Sequence, residues 1–139
     1  MDLTNPARQL MQAVFAGLAR GDATAFLDSL SDDFCWTVPG SNSWSGTYRG
    51  KEAVRQQLLR PLFRNFATRY TNTAQRFIAE GDWVAVQCQG AVMTNSGQPY
   101  DNRYAWLCRV EQGKLREVIE YMDTELAARV LAPRTQDGS

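Results

Sequence analysis

The stretch Trp83-Val84-Ala85-Val86-Gln87-Cys88-Gln89-Gly90-Ala91-Val92-Met93-Thr94, then Asn95-Ser96-Gly97, then Tyr100-Asp101-Asn102-Arg103-Tyr104-Ala105-Trp106-Leu107-Cys108-Arg109-Val110, decides the fold. Both arms are rich in β-branched and aromatic residues, and Asn-Ser-Gly is turn chemistry, so they read as one long antiparallel hairpin. With the hairpin centred near 95–97, the expected register sets Gly90 opposite Trp106 and Cys88 opposite Cys108. A glycine there leaves room for the indole ring. One face then carries Val84, Val86, Cys88, Gly90 and Val92 against Asn102, Tyr104, Trp106, Cys108 and Val110. The other carries Gln87, Gln89, Arg103 and Arg109 among Ala and Leu. The first set is the expected pocket-side face, and a one-residue slip would invert the assignment.

Strands flank this hairpin on both sides. A strand near Thr73–Ala79 turns at Glu80-Gly81-Asp82 into the hairpin, and Glu111-Gln112-Gly113 turns out of it into Leu115–Met122. Ahead of the sheet stand helices. Asn5-Pro6 supplies a cap and a proline at the first helical position, and Leu10, Val14 and Leu18, widened by Met11 and Phe15, form an apolar stripe. Gly21 ends that helix, and Asp22 caps a short second one with Phe26, Leu27 and Leu30. Asp33–Val38 alternates as a strand with Phe34, Trp36 and Val38 on one face. A third helix is expected over Lys51–Phe66, with Val54, Leu58, Leu62 and Phe66 inward and a kink or break at Pro61. Asp123–Leu131 reads as a last helix. Helices first and a meander after them predict an α+β domain over residues 1–131, with a flexible tail at 132–139.

Composition narrows the function. The 139 residues hold 15 basic and 15 acidic side chains, so no broad basic footprint for nucleic acid or anionic lipid is present. No apolar run reaches the ~20 residues that span a bilayer. Met1–Pro6 has no charged segment followed by an apolar one, so no secretory signal is visible and a cytoplasmic location is expected. Cys35, Cys88 and Cys108 are odd in number and form no C-x-x-C pair, and are read as reduced thiols. Histidine is absent. That removes the usual zinc ligand and excludes Ser-His-Asp and Cys-His sites. No glycine-rich phosphate loop follows a strand, so no metal or cofactor is expected.

Three blocks resemble a known family: Asp33-Phe34-Cys35-Trp36-Thr37-Val38-Pro39-Gly40, then Ser45-Gly46-Thr47-Tyr48-Arg49-Gly50-Lys51-Glu52-Ala53-Val54, then Gly113-Lys114-Leu115-Arg116-Glu117 running into Glu120-Tyr121-Met122-Asp123-Thr124. Their order and spacing over residues 6–131 are similar to the SnoaL-like, ketosteroid-isomerase-like branch of the nuclear transport factor 2-like superfamily. The resemblance implies a cystatin-like cone, a strongly bent mixed or antiparallel sheet packed on N-terminal helices around an apolar pocket. It also implies a small hydrophobic ligand and a homodimer. Members include polyketide cyclases, steroid isomerases, dehydratases and epoxide hydrolases. The residues of those reactions are not matched: no carboxylate stands on Trp36-Thr37-Val38, where ketosteroid isomerases carry their base. Cys88 and Gly90 occupy the epoxide-hydrolase Arg and Asp positions, and Trp106 the SnoaL histidine position. Asp123 alone is retained, so the likeness carries a fold and no single reaction.

A minimal acid–base site can still be assembled. With Asp123 inward, alternation sets Tyr121 and Ile119 on the same face, near Trp36, Tyr104 and Trp106. Aromatic surroundings would raise the Asp123 pKa, and Tyr104 or Tyr121 would hold a developing enolate oxygen. Trp36, Val38, Val86, Cys88, Gly90, Asn102, Trp106 and Ile119 complete the expected ligand pocket. Two readings of Asp123 stand, pocket acid or cap of the last helix. Trp36, Tyr104 and Trp106 either line a pocket or fill a core, and Trp44 and Tyr48 either cover the pocket or pack on the third helix. The function classes left are a cofactor-free isomerase, cyclase or lyase for a small hydrophobic carbonyl compound, and a non-catalytic binder of such a molecule. The outer face is expected to pair two subunits through Ala85, Gln87, Met93, Leu107, Val118 and Met122.

Overall fold

The computed structural model describes residues 3–135. Helix α1 (Pro6–Leu18) starts as its sequence predicts, with Asn5 Oδ1 accepting from the Arg8 backbone N–H at 2.9 Å. Helix α2 (Thr24–Ser29) follows, and the Asp22 carboxylate accepts from the Thr24 N–H. Six strands make one mixed sheet: β1 (Leu30–Val38), β2 (Gly46–Arg49), β3 (Thr71–Glu80), β4 (Trp83–Ala91), β5 (Arg103–Glu111) and β6 (Lys114–Met122), in the order β2-β1-β6-β5-β4-β3. Only β1 and β6 run parallel; every other pair is antiparallel. The chain is α+β with the cystatin-like arrangement, and the sheet is not closed.

The third helix is continuous through Pro61. Helix α3 (Lys51–Ala53) widens into a π-helical stretch over Val54–Leu59 and continues as α4 (Arg60–Phe63). The Arg60 N–H reaches back to the Arg55 carbonyl, and this wider turn admits the proline ring that would clash in a regular α-helix. Val54 and Leu58 face inward as expected, and Pro61 is buried with them. Helix α5 (Thr124–Val130) closes the far end. Residues 132–135 lie along the surface: the Arg134 backbone N–H donates to Ser43 Oγ at 2.9 Å, and its guanidinium sits over the Tyr48 ring. The remaining part of the expected tail, residues 136–139, lies outside the described residues.

The hairpin register differs from the expectation by an even number of residues. Cys88 pairs with Tyr104, Val86 with Trp106 and Val84 with Cys108, while the Gly90 N–H donates to the Asn102 carbonyl. An even shift keeps every side chain on its face, so the inner set is the expected one. The need for glycine at position 90 has another cause: a Cβ there would stand 2.7 Å from the Tyr70 hydroxyl.

Bulges in β3 and β6 control what those two strands present inward. In β3, Ala74 pairs with Cys88 but Arg76 with Gln87, so Gln75 is extra and the inward set changes from Asn72 and Ala74 to Phe77 and Ala79. In β6, Val110 pairs with Leu115 but Arg109 with Glu117, so Arg116 is extra. Leu115 points inward before the bulge, and Val118 and Glu120 after it. The core behind them is aromatic. Trp106 packs edge-on against Phe15 and Trp36 with ring centroids 5.1 and 5.2 Å apart, and Phe26 closes on both indoles. Such edge-to-face contacts suit the ring quadrupoles and fix the indole orientations.

Candidate functional site

Between the inner sheet face and the helices lies a cavity of about 610 Å³. Its walls come from α1 and α2 (Leu18, Phe26, Leu27), the π-helical stretch and α4 (Leu58, Leu59, Leu62), and the strands (Trp36, Val38, Tyr104, Trp106, Glu120). That volume falls within the ~300–1,000 Å³ usual for small-molecule sites. Among the lining residues Glu120 is the single carboxylate.

Glu120 is 8% exposed, and its Oε2 accepts from the Trp106 indole Nε1–H at 2.8 Å. The two residues are direct partners on β5 and β6. Loss of hydration pushes the carboxyl pKa up to about 7; the indole N–H groups of Trp106 and Trp36 oppose the rise and do not cancel it. Trp36 acts through proximity, since its Nε1–H closes no hydrogen bond of normal geometry. A glutamic acid balanced near neutrality inside a cavity can take or give a proton at physiological pH.

A chain of hydroxyls and amides lies on the same wall. Asn72 Nδ2 donates to the Tyr70 hydroxyl at 3.4 Å, and the Tyr70 and Tyr104 hydroxyls are 3.3 Å apart in a hydrogen bond. Either phenol can donate, because a hydroxyl hydrogen rotates to suit its partner. Burial raises both phenols far above the ordinary tyrosine range, so both stay protonated donors. Tyr100, beside them, is pushed up to about 12, again chiefly by burial. Two buried polar atoms of lining residues, Trp44 Nε1 and Asn72 Oδ1, close no hydrogen bond in the protein, and Trp36 Nε1 lies near the Glu120 carboxylate without closing one. An unpaired buried polar group costs ~1–3 kcal/mol, so these atoms mark the cavity as a place for polar ligand atoms or water.

Several expected site residues lie elsewhere. Asp123 is exposed and caps α5, its Oδ1 accepting from the Leu126 N–H at 3.1 Å. Tyr121 is 50% exposed on the outer face, and Ile119 shares that face. The cause is the Arg116 bulge, which moves 118, 120 and 122 inward in place of 119, 121 and 123. Of the other candidates, Trp36, Val38, Tyr104 and Trp106 line the cavity. Val86, Cys88 and Gly90 are buried in the sheet without lining it. Asn102 is fully buried as a clamp: its amide donates to the Asp123 carbonyl and its Oδ1 accepts from the Asp123 N–H. Trp44 is neither an exposed lid nor wholly apart, being a buried piece of the cavity wall, and Tyr48 donates to the Trp44 carbonyl at 2.7 Å.

Glu120 is the functional candidate that alternation from Asp123 misses. The signal for it was local: Leu115 and Val118, three apart, cannot share one face of a regular strand. Among the described residues no cluster of three or more Cys, Asp or Glu is placed to hold a metal ion. No helix there is long and apolar enough to cross a membrane. Cys88 and Cys108 are buried free thiols, raised by desolvation well above the ordinary thiol range and so unsuited to nucleophilic chemistry.

Comparison with known proteins places this geometry. Residues 11–118 match the SnoaL-like domain, and the chain belongs to that family. It is similar to a protein of unknown function with a cystatin-like fold from Xanthomonas campestris (24% identity, 91% and 98% of the two chains covered, TM-score 0.78). A putative SnoaL-like polyketide cyclase from Jannaschia sp. CCS1 is similar at 18% identity, with 91% of each chain covered and a TM-score of 0.74. TerC, co-crystallised with polyporic acid, is similar at 20% identity, with 90% and 97% covered and a TM-score of 0.75. A search of curated proteins found no match.

Proposed function

We propose that the cavity binds a small, largely apolar carbonyl compound and that Glu120 moves a proton on it without a cofactor. The observation that carries the reading is the Glu120 carboxyl itself, buried against Trp106 and raised to about 7 in the cavity's wall. In the carboxylate form it takes a proton from the carbon beside the substrate carbonyl. The electron pair moves onto the carbonyl oxygen, which becomes an enolate and accepts from the Tyr104 hydroxyl. Tyr70 then donates to Tyr104, with Asn72 behind it, so the charge meets a chain of donors already in place. Returning the proton to another carbon is an isomerisation. Attack of the enolate carbon on a second carbonyl of the same molecule closes a ring, the π pair of that carbonyl becoming an alkoxide that takes the proton back from Glu120. Relationship to the polyketide cyclases supports this reaction class.

The test is α-proton exchange. A panel of aromatic ketones and β-diketones is incubated in heavy water with the wild-type protein and with Glu120→Gln, and deuterium uptake is followed by NMR. Wild type is expected to accelerate uptake, and the variant to bind the same compounds without acceleration. Equal acceleration by both proteins would remove Glu120 from the chemistry, and binding without acceleration by either would replace the enzyme by a non-catalytic binder.

The outer face supports a second part of the reading, a homodimer. Ile78, Ala85, Leu107 and Ile119 pair in one row across β3, β4, β5 and β6, ending beside Thr37. Ile78 is 61% exposed. This row replaces the expected contact set in part, because Val118 is buried in the core and Met122 lines the cavity. Light scattering at micromolar concentration should give twice the 15.6 kDa chain mass, and a monomer mass would remove the proposal.

A further inference from the structure

The cavity's charges are arranged unevenly in a chain with no net charge. Glu120 is its only acidic residue and is buried, whereas Arg55, Arg60 and Arg64 line the cavity and are exposed. Lining residues that are also exposed stand at the mouth, so the entrance is basic and the interior holds one carboxyl near neutrality. All three arginines come from one segment. The π-helical turn over Val54–Leu59 presents more of its circumference to the cavity than a regular helix does, so Arg55 and Arg60 line it together with Leu58 and Leu59. Arg55 meets Glu52 only at 3.9 Å, with both side chains at least half exposed, a pairing too weak and too solvated to neutralise it.

A second, independent observation comes from inside. The Trp44 indole N–H is buried in a residue that lines the cavity and closes no hydrogen bond in the protein, whereas that of Trp36 is near the Glu120 carboxylate without closing one. A purely hydrocarbon ligand would leave the Trp44 donor unsatisfied; one bearing an oxygen atom there would not.

We infer that the ligand of this cavity is an amphipathic organic anion: an aromatic or alicyclic body with at least one hydrogen-bond-accepting oxygen facing the Trp44 indole, and a carboxylate, sulfonate or ionised enol at the arginine-lined mouth. The inference rests on the reading of the cavity as a ligand site and specifies what enters it. Guanidinium groups favour oxyanions through paired N–H donors and remain charged throughout the accessible pH range. A mouth of this kind also concentrates anions before binding, an effect that salt weakens.

The test compares two probes with the same ring body. Anilinonaphthalene sulfonate carries an anion and N-phenylnaphthylamine does not; binding of each is followed by dye emission and by quenching of the tryptophans at a fixed pH and low salt. The sulfonate is expected to bind about tenfold more tightly than the neutral dye, and added salt to shrink that ratio. In Arg60→Gln and in Arg55→Gln/Arg60→Gln the ratio should fall stepwise toward one while the neutral dye's affinity stays put. Equal binding of both dyes by wild type, or a ratio unmoved by the arginine variants, overturns the anion inference and leaves the cavity reading intact. Failure of both dyes to bind overturns the cavity reading and the inference with it.

Discussion

Trp106 and Glu120 face each other across β5 and β6, and the indole N–H is spent on the carboxylate at 2.8 Å. The same indole is the centre of the aromatic cluster formed with Phe15, Phe26 and Trp36. Core packing therefore orients the group that sets the state of the acid. Packing and chemistry meet in one side chain.

Trp106→Phe separates the two roles. A phenyl ring keeps much of the packing and removes the donor, so the Glu120 pKa should rise above about 7. Stability at neutral pH should fall by ~2–3 kcal/mol, from the lost charge-assisted hydrogen bond and the smaller ring. Urea denaturation checks the second statement. An unchanged midpoint would show that the bond contributes nothing.

Glu120 also makes stability depend on pH in an unusual direction. The folded chain keeps this proton up to about pH 7, whereas an ordinary glutamate releases it near 4.5. Between those values the unfolded chain binds fewer protons, so stability falls as pH rises and levels off above 7. The full effect approaches ~3 kcal/mol. Glu120→Gln abolishes this part of the slope and should be more stable than wild type at pH 8. Thermal melts at pH 5 and pH 8 for both proteins provide the comparison.

Asp123 should behave as a cap. Asp123→Asn is expected to leave stability within ~0.5 kcal/mol and Asp123→Ala to cost ~1 kcal/mol, because Asn accepts from the Leu126 N–H as Asp does. Neither change should affect proton exchange on a bound ketone. A loss of exchange in Asp123→Asn with the fold intact would return this residue to the chemistry.

Gly90→Ala probes the hydroxyl chain from behind. The added methyl meets the Tyr70 hydroxyl at 2.7 Å, so the ring must shift, which disturbs its 3.3 Å hydrogen bond with Tyr104. A destabilisation of ~1–3 kcal/mol is expected from the overpacking. Ligand-bound exchange rates should fall with it, and exchange at the wild-type rate would show that Tyr70 does not support Tyr104.

Most of the fold was legible in the sequence because side-chain period and turn chemistry are local. Asn5-Pro6 opens α1, Glu80-Gly81-Asp82 and Gln112-Gly113 turn the strands, and the inner hairpin face survives an even register error. The site was less legible for a physical reason. One extra residue at Arg116 reverses which side chains of β6 face inward, replacing Ile119, Tyr121 and Asp123 by Val118, Glu120 and Met122. Trp36, Val38, Tyr104 and Trp106 line the cavity on the face that alternation assigns them, since the alternation of their strands runs unbroken through them. Pro61 misled in a similar way: the π-helical turn before it is a tertiary accommodation that no propensity reports.

The central claim is that Glu120 is a buried acid held near neutrality, and carboxyl NMR titration of the wild-type protein tests it most directly. With Glu120 assigned by comparison to Glu120→Gln, its side-chain carbon should titrate with a midpoint at about pH 7, higher still in Trp106→Phe. A midpoint at or below the ordinary 4.5, unmoved by Trp106→Phe, would contradict the account.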